Sequence, residues 1–436
     1  MIDSAKLRLT AVIAALAAAL VLAPSALAAR PAGTIVVGYG PAGASSAAVS
    51  PARVVRVAAE VDVAAQLTRL RAQPGVRWAV PDVKAHTSEV FVPNDPGRAH
   101  RAGGWTEMQW NFASPTEWGV GAEEAWGNLR ADGAGGGRGV IVAVLDTGVA
   151  YANRGPFRRS PDFSPREFVR GHDFVARNGY PNDRNGHGTF VASEIAEQTN
   201  NGIGLTGLSY GVRIMPVRVL NRAGEGEAST IAEGVYYAVR HGARVINMSL
   251  EFPPQITAGD IPELAEAVRY AHRHGVMVVV AAGNEGRSTV DYPARLNGAV
   301  AVGATTEHGC LAEYSNFGRG LTLVAPGGGP DSSIAGEAIC RPGEGPARPI
   351  FAMTLDGSLQ TFGFPGNYEG TSMAAPEVSA TAALVIASRE LGRRPSPAAV
   401  LGRIRATTTR LNVASEAHYY GAGLLNAAAA TAGRPR

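Results

Sequence analysis

Val140-Ile141-Val142-Ala143-Val144-Leu145-Asp146 is apolar until its last residue, with no alternation of apolar and polar positions. A strand of that kind has both faces covered, the pattern of a parallel sheet layered between helices. Similar apolar runs recur at 214–220, 245–250, 276–282, 299–303 and 321–325, with helical sequence at 190–198, 230–242 and 261–274. The alternation predicts an α/β fold, a parallel sheet covered by helices on both faces. Two local readings go with it. Pro216 is awkward in the centre of its strand, and Thr230-x-x-Glu233 reads as a capping box opening a helix that ends at Gly242. Ligands in such sheets lie at the carboxyl ends of the strands. Asp146 and Asn284 fall at such ends, and Ser249 just inside one.

A second stretch places a nucleophile. Gly370-Thr371-Ser372-Met373-Ala374-Ala375-Pro376 precedes an apolar helical run, with Val378, Ala382, Leu384, Val385 and Ile386 on its buried side and a stop at Gly392. Pro376 suits a first helical turn. A serine there sees free backbone N–H groups that favour an oxyanion beside its oxygen. Asn185-Gly186-His187-Gly188-Thr189 sets an imidazole at the start of another helix, so the chain order is Asp146, His187, Ser372. A serine hydroxyl needs a base, imidazole titrates near neutrality, and a carboxylate fixes the imidazole's tautomer and stabilises its charged form. Ala281-Ala282-Gly283-Asn284-Glu285-Gly286 adds a side-chain amide that can donate to an oxyanion. Singly, each island reads as a cap or a turn. Together, in order and each in its proper local structure, they specify a site.

These islands resemble the subtilisin family of serine peptidases over about 110–430. The resemblance implies a subtilisin-like fold and a serine endopeptidase, with Asp146 as orienting acid, His187 as general base and acid, Ser372 as nucleophile and Asn284 as oxyanion donor. It also implies peptide binding along exposed strand edges, at Ser249 and Leu250 on one side and around Gly224 and Gly226 on the other. Upstream, an apolar strand at 34–39, a helix at 61–72 and Gly75-Val76-Arg77-Trp78-Ala79-Val80-Pro81 form a small α+β module. It resembles the family's N-terminal inhibitory propeptide, which assists folding, occupies the active site and is cut off by the enzyme itself. The expected organisation is a signal peptide at 1–28, a propeptide at 29–90 and a catalytic domain at 91–436, with a polar, Pro-rich passage at 86–104 between the last two.

The loop Asn200-Asn201-Gly202-Ile203-Gly204-Leu205 corresponds to one that wraps calcium in the family. Matching by position assigns the carbonyls of Gln198, Ile203 and Leu205, the Asn201 side chain, Asp162 and Asp95 as oxygen ligands. A plain Asn-Gly loop closing a helix is the other reading. Two departures stand out. Glu251-Phe252 replaces the two glycines that many relatives carry after Ser-Leu, so the usual preference for apolar side chains does not carry over. Glu377 replaces the usual histidine after the proline. Glu225 and Glu227 are candidates to favour basic side chains further upstream.

Lys6 and Arg8, the apolar stretch 11–24 and Ala26-Leu27-Ala28 read as an export signal with its cleavage site. The expectation is a secreted, extracellular protein that leaves the membrane once the signal is removed; a retained anchor is the alternative. Export permits a disulfide between Cys310 and Cys340, with two free thiols as the other possibility. A net charge of +3 with dispersed basic residues gives no ground for a nucleic-acid partner. The expected partners are protein or peptide substrates and the chain's own propeptide, and the expected state is a monomer. Stretch 327–370, rich in Gly and Pro, is either an insertion carrying one or two extra strands or a loose loop. Two competing readings are an inactive, peptide-binding relative, which would lack one of the four site residues, and a peptide ligase or cyclase, for which this insertion is the only candidate lid.

Overall fold

The structure is a computed structural model describing residues 34–39, 53–56, 63–81, 91–131, 133–334, 340, 345, 347–411 and 415–433. The segment read as a signal peptide lies outside them. The chain divides into two compact units, Met1–Thr87 and Ser88–Arg436.

In the first unit, β1 (Thr34–Tyr39) lies between β2 (Arg53–Arg56) and β3 (Val76–Pro81), antiparallel to both, with helix α1 at Val63–Arg71. Ile35, Val37, Leu70 and Ala79 make its small core. Strand β2 is missed by a reading of apolar periodicity because Arg53-Val54-Val55-Arg56 is charged at both ends. An edge strand needs no apolar run, and charge on it discourages pairing with other chains.

The second unit contains, in order, α2 (Ala122–Ala131), β4 (Ile141–Asp146), β5 (His172–Asp173), α3 (His187–Ala196), β6 (Arg213–Arg218), α4 (Ala228–Arg240), β7 (Val245–Met248), α5 (Pro262–Arg273), β8 (Met277–Ala281), β9 (Ala299–Thr305), β10 (Leu323–Pro326), β11 (Thr354–Leu355), β12 (Phe362–Gly363) and α6 (Thr371–Ser388). Seven strands form one sheet in the order β10-β9-β8-β7-β4-β6-β5, all parallel. Alternate residues of β4 go to opposite cores. Val142 and Val144 join the side chains of α3 and α6, whereas Ala143 and Leu145 join those of α4 and α5. Both faces are covered, as the uninterrupted apolar runs predict.

Pro216 does sit within β6, and the ladder explains why it is tolerated. Arg213 N–H donates towards β4, to the Val140 carbonyl, so every second residue faces β4. Pro216 therefore faces the other way, towards the chain that leads into β5, and lies between its pairings at Phe168–Ile214 and at His172–Val217. Its missing donor has no ladder partner to deprive.

Three boundaries differ from the sequence reading. Helix α4 starts at Ala228 behind Glu227, which makes no side-chain cap, so Thr230 and Glu233 are helix interior and not a capping box. Helix α6 ends at Ser388 with Arg389 in the left-handed conformation (φ 59°), three residues before Gly392. Its buried residues surround the whole helix, as expected of a helix inside a core rather than on its surface. Pro376 lies in the second turn of α6, beyond the first-turn position where its missing N–H is free of cost. The Ser372 carbonyl is thereby left without its helical donor, and the Ser249 hydroxyl donates to it at 2.7 Å. In the 327–370 stretch, β11 and β12 pair as a short antiparallel hairpin. Cys310 and Cys340 are disulfide-bonded, with Cα atoms 4.5 Å apart.

Candidate active site

Asp146 is the last residue of β4 and fully buried. Its Oδ1 accepts the Thr147 N–H at 2.7 Å, and His187 Nδ1 lies 2.9 Å from Oδ1 and 3.0 Å from Oδ2. A carboxylate so placed holds the proton on Nδ1 and leaves Nε2 free to act as a base. His187 opens α3, with its side chain 26% exposed. Burial pulls its pKa down, but the charge and hydrogen bond of Asp146, helped by the charge of Asp183, outweigh this and raise it.

Asp183 is a residue that the sequence reading passes over. It is buried, and its Oδ1 accepts from the N–H groups of Asn185 and Gly186 and from the Thr147 hydroxyl, while Oδ2 accepts the N–H and hydroxyl of Thr189. One carboxylate thus ties the turn before His187, the first turn of α3 and the end of β4 together. The only sequence signal for it is an Asp three residues before the Gly-His pair. Gly188 is required by contact: a Cβ there would lie 2.2 Å from the Gly148 carbonyl and 3.0 Å from Asp146 Cβ.

Ser372 is the second residue of α6, behind Gly370 at the N-cap. A relay positions this turn. The Ser379 hydroxyl donates to Asn247 Oδ1 at 2.7 Å, Asn247 Nδ2 donates to Ser249 Oγ at 3.0 Å, and Ser249 donates to the Ser372 carbonyl. Ser372 Oγ lies 3.5 Å from the Ser249 carbonyl. Asn284, just past β8, has its Oδ1 held by the Thr371 N–H at 2.8 Å and the Thr371 hydroxyl at 3.0 Å. The amide is therefore oriented with Nδ2 outward. Nδ2 donates to Glu251 Oε2 at 3.2 Å.

His187, Ser372, Asn284, Ser249, Leu250, Gly224 and Gly226 all line one cleft of about 580 Å³, with Glu225, Glu251, Phe252 and Pro253 also in its wall. Asp146 sits beneath it, behind His187. A hydroxyl at a helix N-terminus, an oriented imidazole and a side-chain amide around one cleft are the parts that acyl transfer needs.

The residues assigned to calcium form a second group. Asp162 Oδ1 accepts from Asn201 Nδ2 at 2.8 Å and Oδ2 from the Leu205 N–H at 3.1 Å. Asp95 accepts the N–H groups of Asn200 and Asn201. Asn201 presents its nitrogen, not its oxygen, to Asp162, and its Oδ1 accepts the Ile203 N–H. Among the described residues the carbonyls of Gln198, Ile203 and Leu205 accept no backbone hydrogen bond, and no group of three or more His, Cys, Asp or Glu side chains is placed to hold a metal ion. Burial pushes the Asp162 carboxyl up to about 8, against its hydrogen bonds from Asn201 and Leu205.

Comparison with known proteins agrees with this reading of the cleft. The profile of the subtilase family matches residues 137–423. Subtilisin Savinase of Lederbergia lenta is 35% identical over 296 residues, covering 68% of this chain and 91% of that protein. The extracellular basic protease of Dichelobacter nodosus is 30% identical over 379 residues, 79% of this chain and 56% of that protein. Among solved structures, a protease of Pseudoalteromonas arctica superposes with a TM-score of 0.61 at 27% identity, covering 78% of this chain and 99% of that one. The chain belongs to the subtilase family, and it is a serine endopeptidase.

Proposed function

We propose that the chain is a secreted, self-processing endopeptidase in which Ser372 is the nucleophile, His187 the general base and acid, Asp146 the orienting carboxylate and Asn284 the oxyanion donor. The observation that carries this is the Asp146 carboxylate on His187 Nδ1 beneath the cleft that Ser372 and Asn284 also line. His187 takes the proton from Ser372 Oγ as that oxygen attacks the scissile carbonyl carbon. The resulting oxyanion is met by Asn284 Nδ2 and by the backbone N–H of Ser372 at the head of α6. Collapse expels the amine, which receives the proton from His187, and water then repeats the cycle on the acyl-enzyme. Asp146 stays ionised throughout and stabilises the imidazolium.

Replacing Asn284 by alanine tests the assignment. The expected loss is about 10²- to 10³-fold in kcat with KM little changed, the range known for such a donor in a subtilisin. A loss below about threefold removes Asn284 from the role, on the same range.

Residues 29–90 are proposed as the inhibitory propeptide and residues 1–28 as an export signal, supported by the family and by the extracellular relative above. Calcium is proposed at the loop after α3. Two buried carboxylates and three carbonyls that are unpaired among the described residues make an all-oxygen donor set suited to a hard cation, and the burial of Asp162 with no paired cation among those residues leaves a place for positive charge. Asp162, Asp95, Asn201 through its oxygen after an amide flip, and the carbonyls of Gln198, Ile203 and Leu205 would hold it. The ion would supply rigidity to the loop, not chemistry. At a hundred times Kd, a bound ion stabilises by about 2.7 kcal/mol. That is a melting-temperature rise of roughly 4 °C over a chelated sample for the unit Ser88–Arg436, at ~2.1 cal/mol/K of unfolding entropy per residue. Asp162→Asn is expected to abolish the rise. An unchanged melting temperature in the wild type overturns the site.

A further inference from the structure

Glu251 stands directly after Ser249 and Leu250 in the cleft wall, and its carboxylate holds the amide that the oxyanion needs. Two more carboxylates lie behind it. Asn316 Nδ2 donates to Glu285 Oε2 and to Asp291 Oδ2, both at 2.7 Å. A Cβ on Gly283 would lie 2.6 Å from Asp291 Oδ2 and 3.1 Å from Glu285 Oε2, so both acids flank the residue just before Asn284. Among the described residues the one cation paired with this group is Arg287, on Asp291. Three formal negative charges face one positive charge. Burial, then the charges of Glu285 and Asp291, push the Glu251 carboxyl up to about 7. It is the member of the group that reaches the cleft and has no cation of its own.

The residues on either side of Glu251 in that wall are apolar. Leu250 is 8% exposed, and Phe252 and Pro253 continue the surface. An apolar wall that ends on a carboxylate with no cationic partner among the described residues fits a side chain with an aliphatic stem and a cationic head. The wall adjoins Asn284, which receives the scissile carbonyl oxygen, so the side chain that meets it belongs to the residue on the acyl side of the cut.

We propose that Glu251 is a specificity-determining residue, selecting arginine or lysine immediately before the scissile bond by serving as the counter-ion of that side chain. This rests on the peptidase reading of the cleft and adds the substrate class. It also implies a coupling. In the free protein Glu251 occupies Asn284 Nδ2, and a basic side chain draws the carboxylate to itself and releases the amide for the oxyanion. A neutral side chain leaves the amide engaged. Selectivity then shows in kcat as well as in KM.

The test uses four peptides identical except for Arg, Lys, norleucine or Glu before the cut, assayed on the mature wild type and on Glu251→Gln. The wild type is expected to favour Arg over norleucine by roughly 30-fold or more in kcat/KM, the lower range for leaving one member of a buried charge pair unpaired. In Glu251→Gln the Arg-to-norleucine ratio is expected to fall to within about threefold of unity, because the cation loses its counter-ion. A wild type that cuts the norleucine peptide as well as the Arg peptide overturns the proposal, whether or not the variant folds. Cleavage sites in a denatured protein, mapped by mass spectrometry, separate the two levels. Cuts after residues of every kind overturn the specificity alone, and no cuts at all overturn the peptidase reading together with it.

Discussion

Ser372→Ala is expected to lower kcat for peptide hydrolysis by about 10⁶-fold, the order known for removing the serine of this triad in a subtilisin. The same variant is expected to keep its N-terminal unit. Alanine is the best helix former, and Ser372 is the second residue of α6, so the helix is not weakened. The contact that positions this turn is made by the Ser372 carbonyl, which alanine retains. The lost atom is the hydroxyl oxygen itself. Intact mass and N-terminal sequencing of the protein expressed from the full-length chain give a readout independent of any chosen substrate. The wild type should lose the residues up to somewhere in 86–93, and the variant should keep them. Equal trimming of both, or of neither, removes self-processing. A variant within a hundredfold of the wild type in kcat removes Ser372 from the nucleophile's role, since that is far short of the ~10⁶-fold expected.

The fold is legible because its strands are apolar on both faces, and only a two-sided helical cover makes sense of that. The site islands are legible for a related reason. Asp146 interrupts an apolar run, His187 and Ser372 each sit among glycines and small residues at a helix start, and chemistry-bearing residues in such places have few structural duties. What is not legible depends on partners distant in sequence. Nothing near Asp183 announces that its carboxylate ties together Thr147, Gly186 and Thr189. Pro376 looks like a first-turn residue until the Ser249 hydroxyl is seen to replace its missing donor. Glu251 reads only as a replacement for a glycine, and the placement of Asn284, Glu285 and Asp291 around it is what shows its charge to matter. The reading of Thr230 and Glu233 as a capping box fails because the cap depends on where the chain leaves β6, which a four-residue pattern does not contain. Arg389, not a glycine, takes the left-handed position after α6, where no local preference points to it.

The chain is expected to be most stable in mild acid and to lose stability steadily as the pH rises, because of carboxyls buried between α3 and α6. Glu194 on α3, Glu197 at its C-cap and Glu377 on α6 are fully buried. Among the described residues, both oxygens of Glu194 and one oxygen each of Glu197 and Glu377 find no hydrogen-bond partner. Glu377 Oε1 accepts from Asn111 Nδ2 at 2.7 Å, and that bond does not offset its burial. Burial raises all three well above 4.5, reinforced for Glu194 by the charges of Glu377 and Glu197 and for Glu197 by Asp162. The folded protein therefore keeps protons that the unfolded chain gives up. The stability these groups allow is fully present below about pH 4.5, the unfolded value, and is lost as the pH climbs from there through their raised folded values. Glu167, half-buried and raised to about 7, works in the same direction. Each unit of upward shift removes about 1.4 kcal/mol once the pH has passed it. With three such groups, the melting temperature is expected to fall between about pH 5 and about pH 9, by roughly 1.4 °C for each kcal/mol lost in a unit the size of Ser88–Arg436. The measurement belongs in the Ser372→Ala background, which prevents self-digestion, and in chelator, because a bound cation favours ionised carboxylates and would oppose the trend at Asp162. Glu377→Gln keeps an acceptor for Asn111 and cannot ionise. It is expected to match its parent at about pH 5 and to exceed it at about pH 9, since only the ionising form carries the penalty. A parent whose melting temperature is flat across that range, or a Glu377→Gln variant that tracks its parent at alkaline pH, shows that these acids reach solvent or a counter-charge once the chain is folded.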